Sequence, residues 1–288
     1  MKTLNMIASK NREALKMVIP FFISLMLTVS CNNSETVSDF SAEDSADVQS
    51  DLADDFSNDD ADDAGMSALV SETSTGGKIQ ESDDRFLCAV VTRIGSKTDG
   101  SIRIDFGDGC TDKHGNVRKG AILVNYLGRW DLAGSTWKTS FDNYSVNEVA
   151  ITVLRTVVNV TTDSTLLTFT VDVEDGTATW PDGRIARRRL HHRRELERDE
   201  NHLLERLIIY GTAEGNNRNG RGYIIEILEP LVYDRRCAAE GVIIPVKGKK
   251  LIKHGDRQIT VDYGDGRCDN IVTLINKNGR TKDITVGN

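Results

Sequence analysis

An all-β body of antiparallel strands is the fold class this sequence predicts, and three observations carry it. Apolar and polar residues alternate in several runs: Ile102, Ile104 and Phe106 around Arg103 and Asp105; Leu167, Phe169, Val171 and Val173 around Thr168, Thr170 and Asp172; Ile259, Val261 and Tyr263 around Thr260 and Asp262. A period of two puts one face of a strand on a core and the other in solvent. The dipeptides Asp99-Gly, Asp108-Gly, Asp182-Gly, Asn219-Gly and Asn278-Gly, typical of hairpins and turns, separate such runs. Prolines number only 4 in the whole chain, so little interrupts strand pairing. The expectation is a series of meanders forming a sandwich or a partly open barrel, preceded by a signal peptide and a disordered acidic linker.

The signal peptide is assigned to residues 1–30. Lys2, Lys10, Arg12 and Lys16 precede the apolar run Met17–Val29, too short to span a bilayer but suited to a signal h-region. The run ends in Leu27-Thr-Val-Ser-Cys31, which resembles a lipobox. The resemblance implies that Cys31 takes a diacylglycerol and becomes the mature N-terminus. Cysteine arithmetic agrees: the chain has 5, and an exported protein with an odd count needs an explanation for the leftover thiol. With Cys31 as lipid carrier, four remain to pair in an oxidising compartment.

Residues 31–84 read as the lipidated cysteine and a tether. Residues 32–84 hold 16 Asp and Glu against Lys78 alone, a net charge of −15. Self-repulsion and few large apolar groups predict a segment without fixed structure. Asp44-Ser-Ala46 also resembles an O-glycosylation site. From Arg85 to Asn288 the composition is that of a globular body with a net charge of +4, long enough to bury a sizeable core.

Within the body, residues 184–207 suit a charged helix by propensity. The preceding Trp180-Pro-Asp-Gly turn favours instead a strand pair running into Leu203–Thr212. Arg187, Arg188, Arg189, Arg193 and Arg194 in this stretch are candidate anion-binding residues, for an acidic glycan or lipopolysaccharide phosphates. A solvated face is the plainer reading, and attraction of the chain's own acidic segment is a third. Nucleic acid is not an expected partner for an exported chain.

A duplicated signature is the most specific internal feature. Cys88 precedes Ile102-Arg-Ile-Asp-Phe-Gly-Asp-Gly-Cys-Thr-Asp112, and Cys237 precedes Ile259-Thr-Val-Asp-Tyr-Gly-Asp-Gly-Arg-Cys-Asp269. If residues 88–94 and 101–106 form a hairpin, Cys110 lies near Cys88, and the second copy repeats the arrangement. This predicts disulfides Cys88–Cys110 and Cys237–Cys268. Asp105, Asp108 and Asp112 match Asp262, Asp265 and Asp269 in spacing, which suits either turn capping or a calcium loop. Calcium is the one cofactor to consider; otherwise none is expected.

The string Asp-Phe-Gly-Asp-Gly resembles the strand-turn motif of PKD domains over a few residues only. The wider series Arg118-Lys-Gly, Phe141-Asp-Asn-Tyr-Ser-Val-Asn147, Trp180-Pro-Asp-Gly-Arg184, Asn217-Arg-Asn-Gly220 and the second signature resembles a group of β-rich lipoproteins of Bacteroidota. That resemblance implies fold and envelope location, at the outer membrane, and no activity. Gly-x-Ser-x-Gly, His-Glu-x-x-His, a phosphate loop and Cys-x-x-Cys are all missing from the sequence. The reading is therefore a noncatalytic, membrane-anchored envelope protein with a binding or structural role, the alternatives being an apolar-ligand carrier or a glycan-directed enzyme.

Overall fold

A computed structural model describes residues 40–70, 84–163, 166–199 and 204–286. The signal peptide, Cys31 and residues 32–39 and 71–83 of the expected tether lie outside the described residues.

The first element of the described residues is a helix, α1 (Ala42–Val70). A 3-10 turn at Asp84–Phe86 leads into β1 (Val90–Gly95), β2 (Asp99–Asp105), β3 (Cys110–Thr111) and β4 (Val117–Leu127). Then come β5 (Thr136–Val146), β6 (Val149–Thr152), β7 (Arg155–Asn159) and β8 (Leu167–Thr179). The long strands β9 (Ile185–Arg198), β10 (Leu204–Asn216) and β11 (Gly222–Asp234) follow. A short helix α2 (Arg235–Ala239) precedes β12 (Lys247–His254), β13 (Arg257–Asp265), β14 (Ile271–Asn276) and β15 (Thr281–Thr285).

Among the described residues all 15 strands belong to one antiparallel sheet. The all-β expectation holds, as a single sheet rather than two stacked ones. Its order follows the chain, with β3 beside β4 and β7 filling the space between β5 and β8. β1 and β15 are its two ends and do not pair with each other. Residues 184–207 contribute a hairpin, β9 on β10, with Tyr210 opposite Arg193. The Trp180-Pro-Asp-Gly turn starts it: Gly183 N–H donates to the Trp180 carbonyl at 2.9 Å, and Gly183 has φ 80°. Only glycine adopts that conformation without strain.

The predicted disulfides are both present, with Cα–Cα separations of 5.5 Å for Cys88–Cys110 and 5.0 Å for Cys237–Cys268. The first closes the β1–β2 hairpin onto β3. The second departs from the expected hairpin closure in one respect, since Cys237 sits on α2 rather than on a strand.

One face of the sheet is apolar. Ile102, Ile104, Ile122, Val124, Val171, Ile225, Val261 and Leu274 are all at most 2 % exposed. α1 lies on this face and crosses the strands. Ser45 touches Lys282 of β15, Asp51 meets Lys250 of β12, Asp60 meets Arg118 of β4, and the Ala68 carbonyl accepts from Arg93 of β1. Moving along the helix thus reads the sheet from its last strand to its first.

This helix is the main departure from expectation: residues 42–70 of the acidic segment are ordered. Ten acidic residues and no base lie within them. Asp is a weak helix former, and like charges at i,i+4 repel. Its start is capped reciprocally, Asp44 N–H donating to Ser41 Oγ at 3.0 Å and Ser41 N–H to Asp44 Oδ2 at 2.8 Å. One cap cannot hold 29 residues, so the helix depends on what it packs against. Val48, Leu52, Ala61, Ala64, Ala68 and Leu69 enter the core, while Ala46, Gln49, Ala53, Asp63 and Val70 form an exposed stripe. A Cβ on Gly65 would sit 3.2 Å from Val124 Cγ2, so small residues let this end of the helix lie close to β4.

A chain lacking residues 40–70 would leave the apolar face and its buried cations uncovered. The expected outcome is loss of the cooperative thermal transition in near-UV circular dichroism. A truncated chain that melts like the full one would show α1 to be dispensable.

Candidate functional site

The site is the contact between α1 and the sheet, where each of the nine aspartates on the helix meets a cation. At the N-terminal end Asp44 lies 3.3 Å from Arg257, and Asp47 pairs with Arg221 while accepting from Asn217 Nδ2 at 2.7 Å. In the middle, Asp51, Asp54 and Asp55 share two cations. Arg188 reaches Asp54 at 3.1 Å and Asp55 at 2.6 Å; Lys250 contacts Asp51 and lies 2.6 Å from Asp55. Further on, Arg194 bridges Asp59 at 2.9 Å and Asp62 at 2.7 Å, and Arg155 also pairs with Asp62. Asp60 takes a two-pronged contact from Arg118 at 2.9 and 2.5 Å, with Tyr144 Oη donating at 3.0 Å. Asp63 closes the series 2.7 Å from Arg85.

The strands place these cations by alternation. Along β9, Ala186, Arg188, Leu190, His192 and Arg194 are buried, while Arg187, Arg189, His191 and Arg193 are exposed. The arginine run is therefore two sets on opposite faces. Arg188 and Arg194 hold the helix. Arg189 lies 3.5 Å from Glu214, Arg193 pairs with Glu195 and covers the Tyr210 ring at 5.3 Å, and Arg187 is exposed. Of the three readings of the run, attraction of the acidic segment accounts for the inner pair. Arg118, Arg155 and Lys250, each 1 % exposed, were not singled out by the sequence. Their only signal is a cation in an inward-facing register, as Lys250 is beside Ile252 in β12.

Burial sets the electrostatics. The central cluster has three carboxylates and two cations, one negative charge in excess. Burial pushes Asp54 up to about 6 despite Arg188, and raises Asp51 as well despite Lys250. Burial also opposes ionisation of Asp55, but Arg188 and Lys250 outweigh it and hold that carboxyl well below its usual range. His192, next to this cluster, is pushed well below its ordinary value by burial and by Arg194 and Arg188, so its imidazole is neutral. Breaking such a buried pair is costly, about 3–5 kcal/mol, because the partner is left charged and unpaired.

The six candidate calcium ligands do not converge. Asp105 Oδ1 and Asp262 Oδ1 each accept from a glycine amide two residues on, Gly107 and Gly264, both at 2.9 Å. Asp112 accepts from His114 N, Asn116 N and Arg118 Nη1 at 2.9, 2.9 and 2.8 Å; Asp269 accepts from Ile271 N at 3.1 Å. Asp265 lies 3.0 Å from Arg267, and Asp108 is exposed. The duplicated signature is thus a pair of aspartate-capped turns. Among the described residues no group of three or more acidic, His or Cys side chains is arranged to hold a metal ion.

Fold and site together define a class: a single unclosed antiparallel sheet with an acidic helix neutralised on its apolar face. No family model, curated protein or solved structure matches the chain.

Two outcomes follow. Arg118→Ala should cost about 3–5 kcal/mol in denaturant unfolding, because Asp60 and Asp112 lose their shared cation. A cost below about 1 kcal/mol would mean that water reaches these carboxylates. Asp54 has its pKa raised in the fold, so the proton it holds supports the folded state in acid, and that support is lost as pH rises through about 6. Asp54→Asn should therefore be more stable than the parent chain at pH 8, by on the order of 2 kcal/mol. The difference should fall to about half near pH 5 and vanish only near pH 3, below the carboxyl's unfolded value; an equal difference at pH 8 and pH 3 would contradict the assignment.

Proposed function

We propose that this chain is a lipid-anchored, noncatalytic protein of the cell envelope, whose body has a binding or structural role. The observation that carries the noncatalytic reading is the pairing of every α1 aspartate with a cation. The densest group of carboxylates in the chain is thereby built into the fold rather than set around a substrate. The same helix weighs against the carrier alternative, because α1 occupies the apolar face that an apolar ligand would need.

The anchor rests on the signal segment, the small residues before Cys31 and the odd cysteine, in keeping with the resemblance to β-rich envelope lipoproteins. The helix changes the geometry that follows from it. A fully structureless tether would hold the body at a distance of 53 residues. With α1 part of the body, only residues 32–39 separate Cys31 from Phe40. Eight residues span at most about 29 Å. An anionic glycan or lipopolysaccharide remains the partner class suited to the outer cations Arg187, Arg189 and Arg193.

Expressed in its own bacterium, the full chain should fractionate with membranes and yield an N-terminal peptide beginning at Cys31 with the mass of added acyl chains. Cys31→Ser should appear in the soluble fraction. Membrane association unchanged in that variant would remove the lipid anchor from the proposal.

A further inference from the structure

Four turns meet where α1 begins. With the strand ends that flank them, they are residues 180–184 joining β8 to β9, 217–221 joining β10 to β11, 253–257 joining β12 to β13, and 276–282 joining β14 to β15. Their proximity is fixed by contacts. Arg184 donates to Asn219 Oδ1 at 2.9 Å, and Arg218 reaches Asp182 at 2.5 Å, joining the first two turns. Asp47 of α1 touches Arg221 of the second and lies 3.6 Å from Arg257 of the third. Ser45 accepts from Lys282 Nζ of the fourth at 3.1 Å.

These turns are basic. They carry Arg184, Arg218, Arg221, Lys253, Arg257, Lys277, Arg280 and Lys282 against Asp182 and Asp256 alone, a net charge of +6. The first two aspartates of α1, Asp44 and Asp47, offset part of it through Arg257 and Arg221. Arg184, Lys277, Arg280 and Lys282 are exposed. The turn residues Pro181, Gly183, Asn219, Gly220, Gly255, Asn278 and Gly279 are exposed too. The acids within the turns are Asp182, shared by Arg184 and Arg218, and Asp256.

We propose that this rim docks on an anionic membrane surface, with phosphate headgroups as the groups its lysines and arginines meet. The inference rests on the lipid-anchor reading for its direction. The chain from Cys31 enters the body at Ser41, beside Lys282 and Arg257, and the eight residues before Phe40 reach no further than about 29 Å. With an anchor at Cys31, a link this short joins the body at its basic end. Attraction between clustered Lys and Arg and a negative leaflet acts within about one Debye length, near 10 Å at moderate salt. A short spacer can hold the rim in that range. One lipid chain alone gives reversible membrane binding, and a basic patch supplies a second contribution.

The test uses a chain beginning at Asn32, which contains every described residue and no lipid, so its result does not depend on whether Cys31 is acylated. It is sedimented with vesicles of phosphatidylcholine alone and of phosphatidylcholine with phosphatidylglycerol. Binding is expected to the anionic vesicles only, and it should be lost at about 0.5 M salt. Lys277→Ser with Arg280→Ser should weaken it by about fivefold for each cation removed. These turn positions are exposed, and circular dichroism would verify that the variant is folded. Equal binding to neutral vesicles, or no binding to anionic ones, would overturn the proposal. So would a loss caused by Arg187→Ser, Arg189→Ser and Arg193→Ser but not by the turn variant, which would move the contact to the outer face of β9.

Discussion

The neutralisation of an acidic helix by cations on an apolar sheet face is the interaction on which the rest of this structure depends. A carboxylate or guanidinium moved from water into a protein interior loses several kcal/mol of hydration, recovered only when the pair is close and well oriented. Arg118 with Asp60 and Arg188 with Asp54 and Asp55 meet that condition. Neither half stands alone. The sheet without α1 would present Arg118, Arg155, Arg188, Arg194 and Lys250 on an apolar surface, and α1 without the sheet would be a run of mutually repelling aspartates.

Specificity is the better description of what these pairs supply. Buried ion pairs add little net stability compared with apolar side chains of the same volume, but a mismatched one is expensive. Sliding α1 by one turn would move Asp60 away from Arg118 and set Ala64 opposite it. The apolar contacts of Val48, Leu52 and the alanines are too small and too alike to fix that position by shape. The charges therefore set the register, and the apolar face supplies most of the burial.

The same arrangement bears on the proposed anchor. If the chain is anchored at Cys31, folding of the acidic segment shortens the link from most of a disordered tether to a few residues. It also delivers that link to one end of the sheet, among the basic turns. The outer face of β9, with Arg187, Arg189 and Arg193, points away from the helix and is exposed.

Much of the sheet was legible in the sequence because strands leave a period-two trace and turns leave Asp-Gly and Asn-Gly. The β9–β10 hairpin, both disulfides and the aspartate-capped turns after Asp105 and Asp262 follow from residues close together in the chain. The arginine run was visible as charge, but its division into Arg188 and Arg194 inside and Arg187, Arg189 and Arg193 outside needs the strand register. The helix was not legible. A net charge of −15 over residues 32–84 is what disorder looks like when the segment is considered alone. Its order comes from cations as much as about 200 residues away, Lys250 and Arg257 among them, and no local propensity reports a partner that distant. Sequence by itself determined the strands, their turns and the cysteine pairing; only the tertiary structure decided that the acidic segment belongs to the core, because charge neutralisation is a property of the pair and not of either half.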